Sequence, residues 1–195
     1  RDVSRRVGSL IRQLMSLSHE FDFYVVVSSD WVDAAVECGA HGVHVKEAHR
    51  QRIPDIRAMF ARKQSTSPPL IGTSAHSTES AVRACRDYSV HYLFVGTCYK
   101  TASHPEKEED ELEGPGLPGQ VAGLVLSRES RIKTDPVPAI FAIGGINHEN
   151  CSEPVRLGAH GIAAIRAVMR SPIPSQSAEA FVSRMKDGET FTSYM

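Results

Sequence analysis

The sequence predicts an α/β fold of the (β/α)8 TIM-barrel type that is incomplete at its N-terminal end. Six short apolar runs alternate with amphipathic segments, which is the pattern of βα units that build a parallel sheet. Three joints between a predicted helix and the following strand resemble one another: "ECGAHGVHV", "RDYSVHYLFV" and "RLGAHGIAAI". Repetition of one unit favours a closed barrel over an open doubly wound sheet, and no G-x-G-x-x-G dinucleotide fingerprint follows any strand.

The predicted elements run in order from an opening helix. Apolar residues at helical spacing predict an amphipathic helix over the first twenty residues: Val7, Leu10, Ile11, Leu14 and Leu17. Short apolar runs predict strands at 23–29, 42–45, 70–76, 92–97, 139–143 and 162–165. Helices are predicted at 31–40 (closed by Gly39 as the C-cap residue), 52–63, 79–88, near 119–128, 150–159 and 177–187, followed by a tail that frays. A complete barrel has eight strands in about 250 residues. We therefore expect the first strand, the first helix and the second strand to be missing before Arg1.

Composition indicates one soluble globular domain over residues 1–195. The chain is 41% hydrophobic and 23% charged, and its net charge of −1 gives no reason to expect nucleic acid or a membrane surface as a partner. No apolar run approaches the roughly 20 residues of a membrane span. Its four cysteines are far apart and form no C-x-x-C pair, which argues against a structural zinc site and suits a reducing, intracellular compartment: Cys38, Cys85, Cys98 and Cys151. Cytoplasmic and organellar locations both stay open.

The last two predicted strands end in residues that suit a phosphate. Gly144 and Gly145 remove side chains where a strand ends, so that backbone N–H groups can approach an anion closely. Arg166 follows the next strand and would add a charged fork to the same phosphate. In a TIM barrel the last two strands commonly build such a site. The alternative is that the glycines only form a tight turn and Arg166 points into solvent.

The other predicted strands also end in polar residues. Ser29 and Asp30 follow the first run, Ser74 ends the third with His76 nearby, and a hydroxyl-rich loop follows the fourth. Asp30 is a candidate ligand for a magnesium ion that bridges a diphosphate. Alternatively, Ser29 or Asp30 caps the helix that follows, since both are favoured cap residues.

Two further features are given structural interpretations. His44, inside a four-residue strand, is expected to be a hydrogen-bonded histidine of the barrel interior rather than a ligand. The acidic run 106–114 is expected to be a solvated, mobile loop whose charge alone implies no metal.

Four blocks of the sequence resemble, in order, those of the thiamine phosphate synthase/TenI family: "VVVSSDWVDAAVECGAHGVHV", "LIGTSAHS", "YLFVGTCYKTASHP" with "LEG", and "AIGGINHEN" with "GAHGIAAI". Together they span roughly residues 5 to 185. The family synthase joins hydroxymethylpyrimidine diphosphate to thiazole phosphate, which releases diphosphate and gives thiamine phosphate. The resemblance implies a dissociative displacement in which enzyme and magnesium stabilise the leaving diphosphate.

The resemblance implies roles for ten positions, most of them as substrate contacts. Ser29 and Asp30 fall on an Asn-Asp pair whose carboxylate binds magnesium, and His49 falls on the second magnesium carboxylate. Ser74 matches a serine on the pyrimidine side. In the thiazole-phosphate loop Thr101 and Ser103 match two threonines, while His104 replaces a lysine. Gly145 matches the phosphate-binding glycine, and Ile165 with Arg166 replaces an Ile/Val-Ser pair. Asp30, Ser74 and His104 are the catalytic candidates.

Three functions therefore stay open, with synthase chemistry first. The TenI branch binds thiazole phosphate, and some of its members isomerise the thiazole; its expected acid/base histidine falls on Thr97, for which His104 or His76 could substitute. A barrel that binds a thiamine-related phosphate without turnover is the third. The expected partners are small phosphorylated thiamine precursors, and an open barrel edge favours a homo-oligomer.

Overall fold

Six parallel strands form one sheet in chain order, β1 to β6. In this computed structural model, which describes residues 2–63, 67–126 and 136–187, the strands are β1 (Val26–Ser28), β2 (Gly42–Val45), β3 (Leu70–Ala75), β4 (Tyr92–Val95), β5 (Ala139–Ile143) and β6 (Gly161–Ala163). Every neighbouring pair is parallel, and the sheet curls into a half-barrel. A TIM-barrel-like α/β fold is thus confirmed. Which barrel positions the strands occupy stays a prediction.

Eight α-helices accompany the strands within the described residues. They are α1 (Asp2–Phe21), α2 (Val32–Cys38), α3 (Ile53–Arg62), α4 (Thr78–Tyr88), α5 (Leu117–Leu126), α6 (Ser152–Arg156), α7 (Arg166–Met169) and α8 (Pro174–Asp187). The predicted C-cap is confirmed, because Gly39 ends α2 in the left-handed conformation and its N–H bonds to α2 carbonyls. Helix α7 was not predicted. The tail 188–195 lies outside the described residues.

Four strands are shorter in the structure than predicted. Strand β1 begins at Val26, and Tyr24 before it is 74% exposed. Strand β3 ends at Ala75, β4 ends at Val95, and β6 ends at Ala163. The apolar runs therefore extend beyond the hydrogen-bonded ladder at β1 and β6, where Tyr24 and Ile165 are exposed.

The core fills the space between the sheet and the helices on its outer face. Its largest fully buried side chains include Ile53 and Ile56 of α3, Ile71 of β3 and Ile140 of β5. Helix α1 packs against α2 through a face that includes Val7, Ile11 and Leu14. Leu10 and Leu17, predicted on the apolar face, are 55% and 43% exposed, so the apolar surface of α1 is wider than its contact with the domain.

The three similar joints share one hydrogen-bonded device, which we call the histidine clip. Each joint carries a histidine just before an even-numbered strand: His41, His91 and His160. Its backbone N–H donates to the carbonyl of one residue near the start of the preceding strand, over 2.8 to 3.0 Å. Its Nδ1 accepts the N–H of that same residue over 2.9 to 3.0 Å: Val25, Ile71 and Ile140, respectively. The clips fasten the strands in pairs at the N-terminal edge of the sheet.

The sheet has two open edges among the described residues, since β1 and β6 each pair on one side only. Association into a homo-oligomer through such an edge stays a prediction. All four cysteines are free thiols. None of the helices in the described ranges is both long and apolar enough to cross a membrane.

Candidate active site

Asp30 lies directly after β1 in a 3-10 turn, Ser29–Trp31, and its carboxylate is ion-paired. Asp30 Oδ2 accepts a hydrogen bond from Lys46 Nζ at 2.8 Å and one from Ser28 Oγ at 3.3 Å. The bond from Lys46 holds the pKa of Asp30 below its usual range. The alternative in which Ser29 or Asp30 caps the following helix is wrong. Trp31 is the N-cap residue of α2 and makes no side-chain cap bond, whereas Ser28 caps the 3-10 turn, where its Oγ accepts the N–H of Asp30 at 3.4 Å.

The turn after β2, Glu47–Arg52, offers no second carboxylate to a metal ion. Glu47 accepts a hydrogen bond from Ser80 Oγ and lies 3.8 Å from Arg50 Nη1. His49 presents a buried Nδ1 that has no hydrogen-bond partner in the described part of the chain. Across the described ranges, no three His, Cys, Asp or Glu side chains are grouped to hold a metal. A divalent ion at Asp30 would therefore have one carboxylate from the described residues and would need its other ligands from elsewhere.

Arg50 is the buried centre of the hydrogen bonds between the loops after β2 and β3. It is 7% exposed, and burial lowers the pKa of its guanidinium. Its Nε donates to Thr73 Oγ1 at 3.2 Å, its Nη1 donates to Ser80 O at 2.9 Å and Oγ at 3.0 Å, and its Nη2 donates to Ser74 O. The backbone of Ser74 is thereby fixed at the carboxyl edge. No pattern in the sequence predicted that Arg50 would be buried beside the site.

An aromatic cluster with one neutral histidine lies beside Ser74 on the inner face of the sheet. His44 makes hydrogen bonds to Ser74 Oγ at 3.0 Å through Nε2 and to Tyr92 OH at 3.1 Å through Nδ1. Its ring stacks on Phe94 with the centroids 4.8 Å apart. Burial lowers the pKa of His44 to about 4 and raises that of Tyr92, so both are uncharged at neutral pH. The expected barrel histidine is confirmed.

Gly72 makes room for this cluster. Strand register aligns Gly72 with both His44 and Tyr92. A Cβ on Gly72 would lie 1.9 Å from the Tyr92 ring, so that ring lies across a position where any other residue would clash. Tyr92 and Phe94 were not predicted as site residues. Their i, i+2 spacing places them on one face of β4 and was the signal available in the sequence.

The double glycine after β5 is shaped for close backbone approach. Gly144 and Gly145 have φ values of +101° and +66°. A Cβ on Gly145 would lie 2.6 Å from the carbonyl oxygens of Tyr99 and Lys100. The Gly145 carbonyl accepts a hydrogen bond from Asn150 Nδ2 at 3.1 Å. Its N–H donates no hydrogen bond within the described residues.

Arg166 connects the end of β6 to the loop after β4. Its Nη2 donates to Thr101 Oγ1, which also accepts the N–H of Ser103 at 3.4 Å. Since Gly145 packs against residues 99 and 100 of the same loop, the predicted phosphate residues Gly145, Thr101, Ser103 and Arg166 lie in one region. The alternative in which Arg166 faces solvent without a partner is wrong.

The acidic loop is held to the sheet at its end, contrary to the expectation that it is simply solvated. Glu113 Oε2 accepts the N–H of Thr97 at 2.6 Å, and its Oε1 accepts Lys107 Nζ at 2.6 Å. His76 Nδ1 lies 3.5 Å from Glu113 Oε1, and His76 Nε2 lies 4.0 Å from Glu47 Oε2. His76 thus stands between the loops that follow β2 and β4.

Comparison with known proteins assigns this arrangement to a family. The family profile described as thiamine monophosphate synthase matches residues 4–168. The chain belongs to the thiamine monophosphate synthase family.

Curated family members support the assignment over most of the chain. The thiamine-phosphate synthase of Bacillus licheniformis is 30% identical over 90% of this chain and 69% of its own length. That of Geobacillus thermodenitrificans is 30% identical over 92% of this chain and 72% of its own. The thiamine phosphate pyrophosphorylase structure from Pyrococcus furiosus has the same fold, with a TM-score of 0.73 at 24% identity over 95% of this chain and 78% of that one.

Three further positions that the resemblance singled out make few contacts with the other site residues or none. His104 is half-exposed and pairs through Nδ1 with Glu106 Oε1 at 3.1 Å. Ile165 is 65% exposed, so its side chain stands away from the other site residues. Ser29 is buried, and its hydroxyl has no hydrogen-bond partner among the described residues. Sequence reasoning did not single out Lys46, although it is the direct partner of Asp30.

Proposed function

We propose that this protein is a thiamine-phosphate synthase. It is a transferase of thiamine biosynthesis that joins hydroxymethylpyrimidine diphosphate to thiazole phosphate and releases diphosphate. The observation that carries the proposal is that Arg166 bonds to Thr101 in the same loop against which the Gly145 turn packs. A guanidinium and a backbone N–H in this region would suit the phosphate of the thiazole substrate.

The two substrates are proposed to occupy different parts of the carboxyl edge. Thiazole phosphate binds at Gly145 and Arg166, where a phosphate gains a backbone donor and a guanidinium. The pyrimidine ring enters the aromatic cluster, where Ser74, neutral His44 and Tyr92 offer uncharged hydrogen-bonding groups next to the Phe94 ring. The diphosphate then extends towards Asp30 and its partner Lys46, which directly follows β2.

The proposed reaction breaks one bond and forms one bond. The C–O bond between the pyrimidine methylene and the diphosphate breaks, and its electron pair leaves with the diphosphate. The lone pair of the thiazole nitrogen forms the new C–N bond, which leaves the positive charge on the thiazolium ring. No proton needs to be removed in this step. The protein residues therefore act by positioning both rings and by stabilising the departing charge.

Magnesium is part of the proposal as an ion that arrives with the diphosphate. Asp30 would hold it through its one carboxylate, with water and phosphate oxygens as the remaining ligands. When bound, magnesium neutralises charge on the departing phosphate oxygen. With both precursors and magnesium supplied, Asp30→Ala should abolish thiamine phosphate formation, and His49→Asp should raise it by restoring a second carboxylate. No product from the parent protein or either variant would refute the synthase proposal.

Calorimetry with thiazole phosphate tests the phosphate site itself. Arg166→Ala should weaken binding by about 1.5–3 kcal/mol, the usual loss for a hydrogen bond to a charged group. Arg170→Ala, at an exposed arginine just beyond α7, is the matched control and should leave affinity unchanged. Equal affinity of the parent protein and the Arg166 variant would place the phosphate elsewhere.

The second candidate function is TenI-like: isomerisation or retention of thiazole phosphate without the diphosphate reaction. The paired carboxylate of Asp30 and the histidine at position 49 favour it, since both weaken a metal-diphosphate site. Thiazole phosphate binding without product formation would select this function. In either case, we propose that the six strands are the last six of a (β/α)8 barrel, because phosphate residues follow the last two of them.

A further inference from the structure

We propose that Lys46 binds the diphosphate. Its ammonium group stabilises negative charge on the diphosphate oxygens, which a metal ion held by a second carboxylate would otherwise stabilise. The inference rests on the proposed synthase function and concerns its diphosphate end. It begins from the ion pair between Lys46 Nζ and Asp30 Oδ2 at 2.8 Å.

Lys46 is in the right place on the fold. It directly follows β2, and Asp30 follows the adjacent parallel strand β1 within two residues. Both side chains are therefore at the carboxyl edge, where barrel enzymes bind their substrates. Lys46 and Gly145 follow strands that are three positions apart, or about 14 Å along the sheet at the usual strand spacing. A phosphate at Gly145 and a diphosphate at Lys46 would not compete for one place.

Lys46 is also chemically available. The side chains of Lys46 and Asp30 are 58% and 45% exposed, so the pair is solvated and weakly held. An ammonium group has three N–H donors, and Asp30 uses one of them. The other two can reach phosphate oxygens while Asp30 keeps the long side chain in place. Lys46 can thus contribute to an anion site without breaking any buried contact.

Other cations around this edge are committed elsewhere. Arg50 directs its guanidinium into the protein, and Lys107 donates to Glu113 at 2.6 Å with only a quarter of its side chain exposed. Arg166 is bound to Thr101 on the far side. Of these four cations, Lys46 is the one that lies beside β1 and β2 at the carboxyl edge of the sheet. His49, at the position where the resemblance implies a second metal carboxylate, brings an imidazole with a buried Nδ1 and no negative charge.

The test measures binding of inorganic diphosphate to the full chain by calorimetry, with EDTA present and then with magnesium. The parent protein should bind diphosphate in EDTA, and Lys46→Met should weaken that binding about tenfold or more, as expected for a lost charged hydrogen bond. Lys46→Arg should retain most of the affinity, because it keeps the charge. Lys63→Met is the matched control: Lys63 is an exposed lysine just after α3, and its loss should have no effect.

Two results would overturn the inference: no diphosphate binding by the parent protein in EDTA, or equal binding by Lys46→Met with an unchanged melting temperature. Synthase assays separate this outcome from the proposed function. Product formation with Lys46-independent diphosphate binding would reject the role of Lys46 and keep the synthase. Lys46-dependent diphosphate binding without product formation would reject the synthase and keep the anion site.

Discussion

Replacing Arg50 with methionine tests the buried polar network beneath the site. Arg50→Met keeps much of the side-chain volume but removes every N–H donor that reaches Thr73, Ser74 and Ser80. Thr73 retains its bond to the Val45 carbonyl at 2.6 Å, so part of the network survives. The carbonyl of Ser74 loses its donor, and Glu47 loses its nearest cation.

The expected loss in the free energy of unfolding is about 3–5 kcal/mol, the range for removing one partner of a buried charged network. Equilibrium unfolding in urea, followed by far-ultraviolet circular dichroism, should show a midpoint lower by roughly 1.5–2.5 M at a slope near 2 kcal/mol per M. Arg50→Lys should recover only part of the loss, because an ammonium group cannot reproduce the planar fork.

Arg86→Met is the matched control for this experiment. Arg86 is exposed and pairs with its chain neighbour Asp87 at 2.7 Å. Its loss should leave the urea midpoint at the value of the parent protein, because exposed ion pairs contribute little to stability. If Arg50→Met proves as stable as Arg86→Met, the buried network does not hold the loops after β2 and β3 together.

Two further predictions concern the glycine turn and the neutral histidine. Gly145→Ala should lower stability by about 1–3 kcal/mol and abolish thiazole phosphate binding, because φ is +66° there and a Cβ meets carbonyl oxygens at 2.6 Å. Gly123→Ala in α5, where a Cβ meets nothing within 4 Å, should instead stabilise the protein by about 0.5–1 kcal/mol. Differential scanning calorimetry of the two variants measures both changes. For His44 the pKa is about 4 in the folded protein and 6.5 ordinarily. Between these values the unfolded chain binds the extra proton, so stability should fall as pH drops from 6.5 to about 4, by about 3 kcal/mol at most. His44→Gln should flatten this part of the profile of urea midpoint against pH; an unchanged profile would mean that folding does not lower the pKa of His44.

The order of the strands and the edge that bears the site could be predicted from the sequence. Apolar runs separated by amphipathic segments specify parallel strands, and polar residues after parallel strands meet at one edge. The strands predicted from the sequence therefore suffice to place four residues at that edge: Asp30, Ser74, Thr101 and Gly145. What periodicity could not show is which side of a wide apolar face packs, as the exposed Leu10 demonstrates.

The contacts that organise the site depend on side chains meeting across the fold. Lys46 reaches Asp30 across 16 residues, and Arg50 reaches Ser80 across 30. Such pairs follow from register and loop shape, neither of which leaves a periodic signal in one sequence. Glu113 was concealed for another reason. It belongs to an acidic run whose other carboxylate residues are exposed, and its part-buried bond to Thr97 distinguishes it only in three dimensions.

The histidine clips have a consequence for how this chain can change over evolutionary time. They secure the strand pairs at the N-terminal edge, while Asp30, Lys46, Gly145 and Arg166, which are proposed to bind phosphate groups, follow the strands at the opposite edge. Mutations in the loops that follow the strands can therefore alter chemistry without loosening the frame. This separation accommodates histidines at positions 49 and 104 without any change to the clips. It also makes the scaffold a suitable starting point for directed evolution, with randomised loops and the clips left intact.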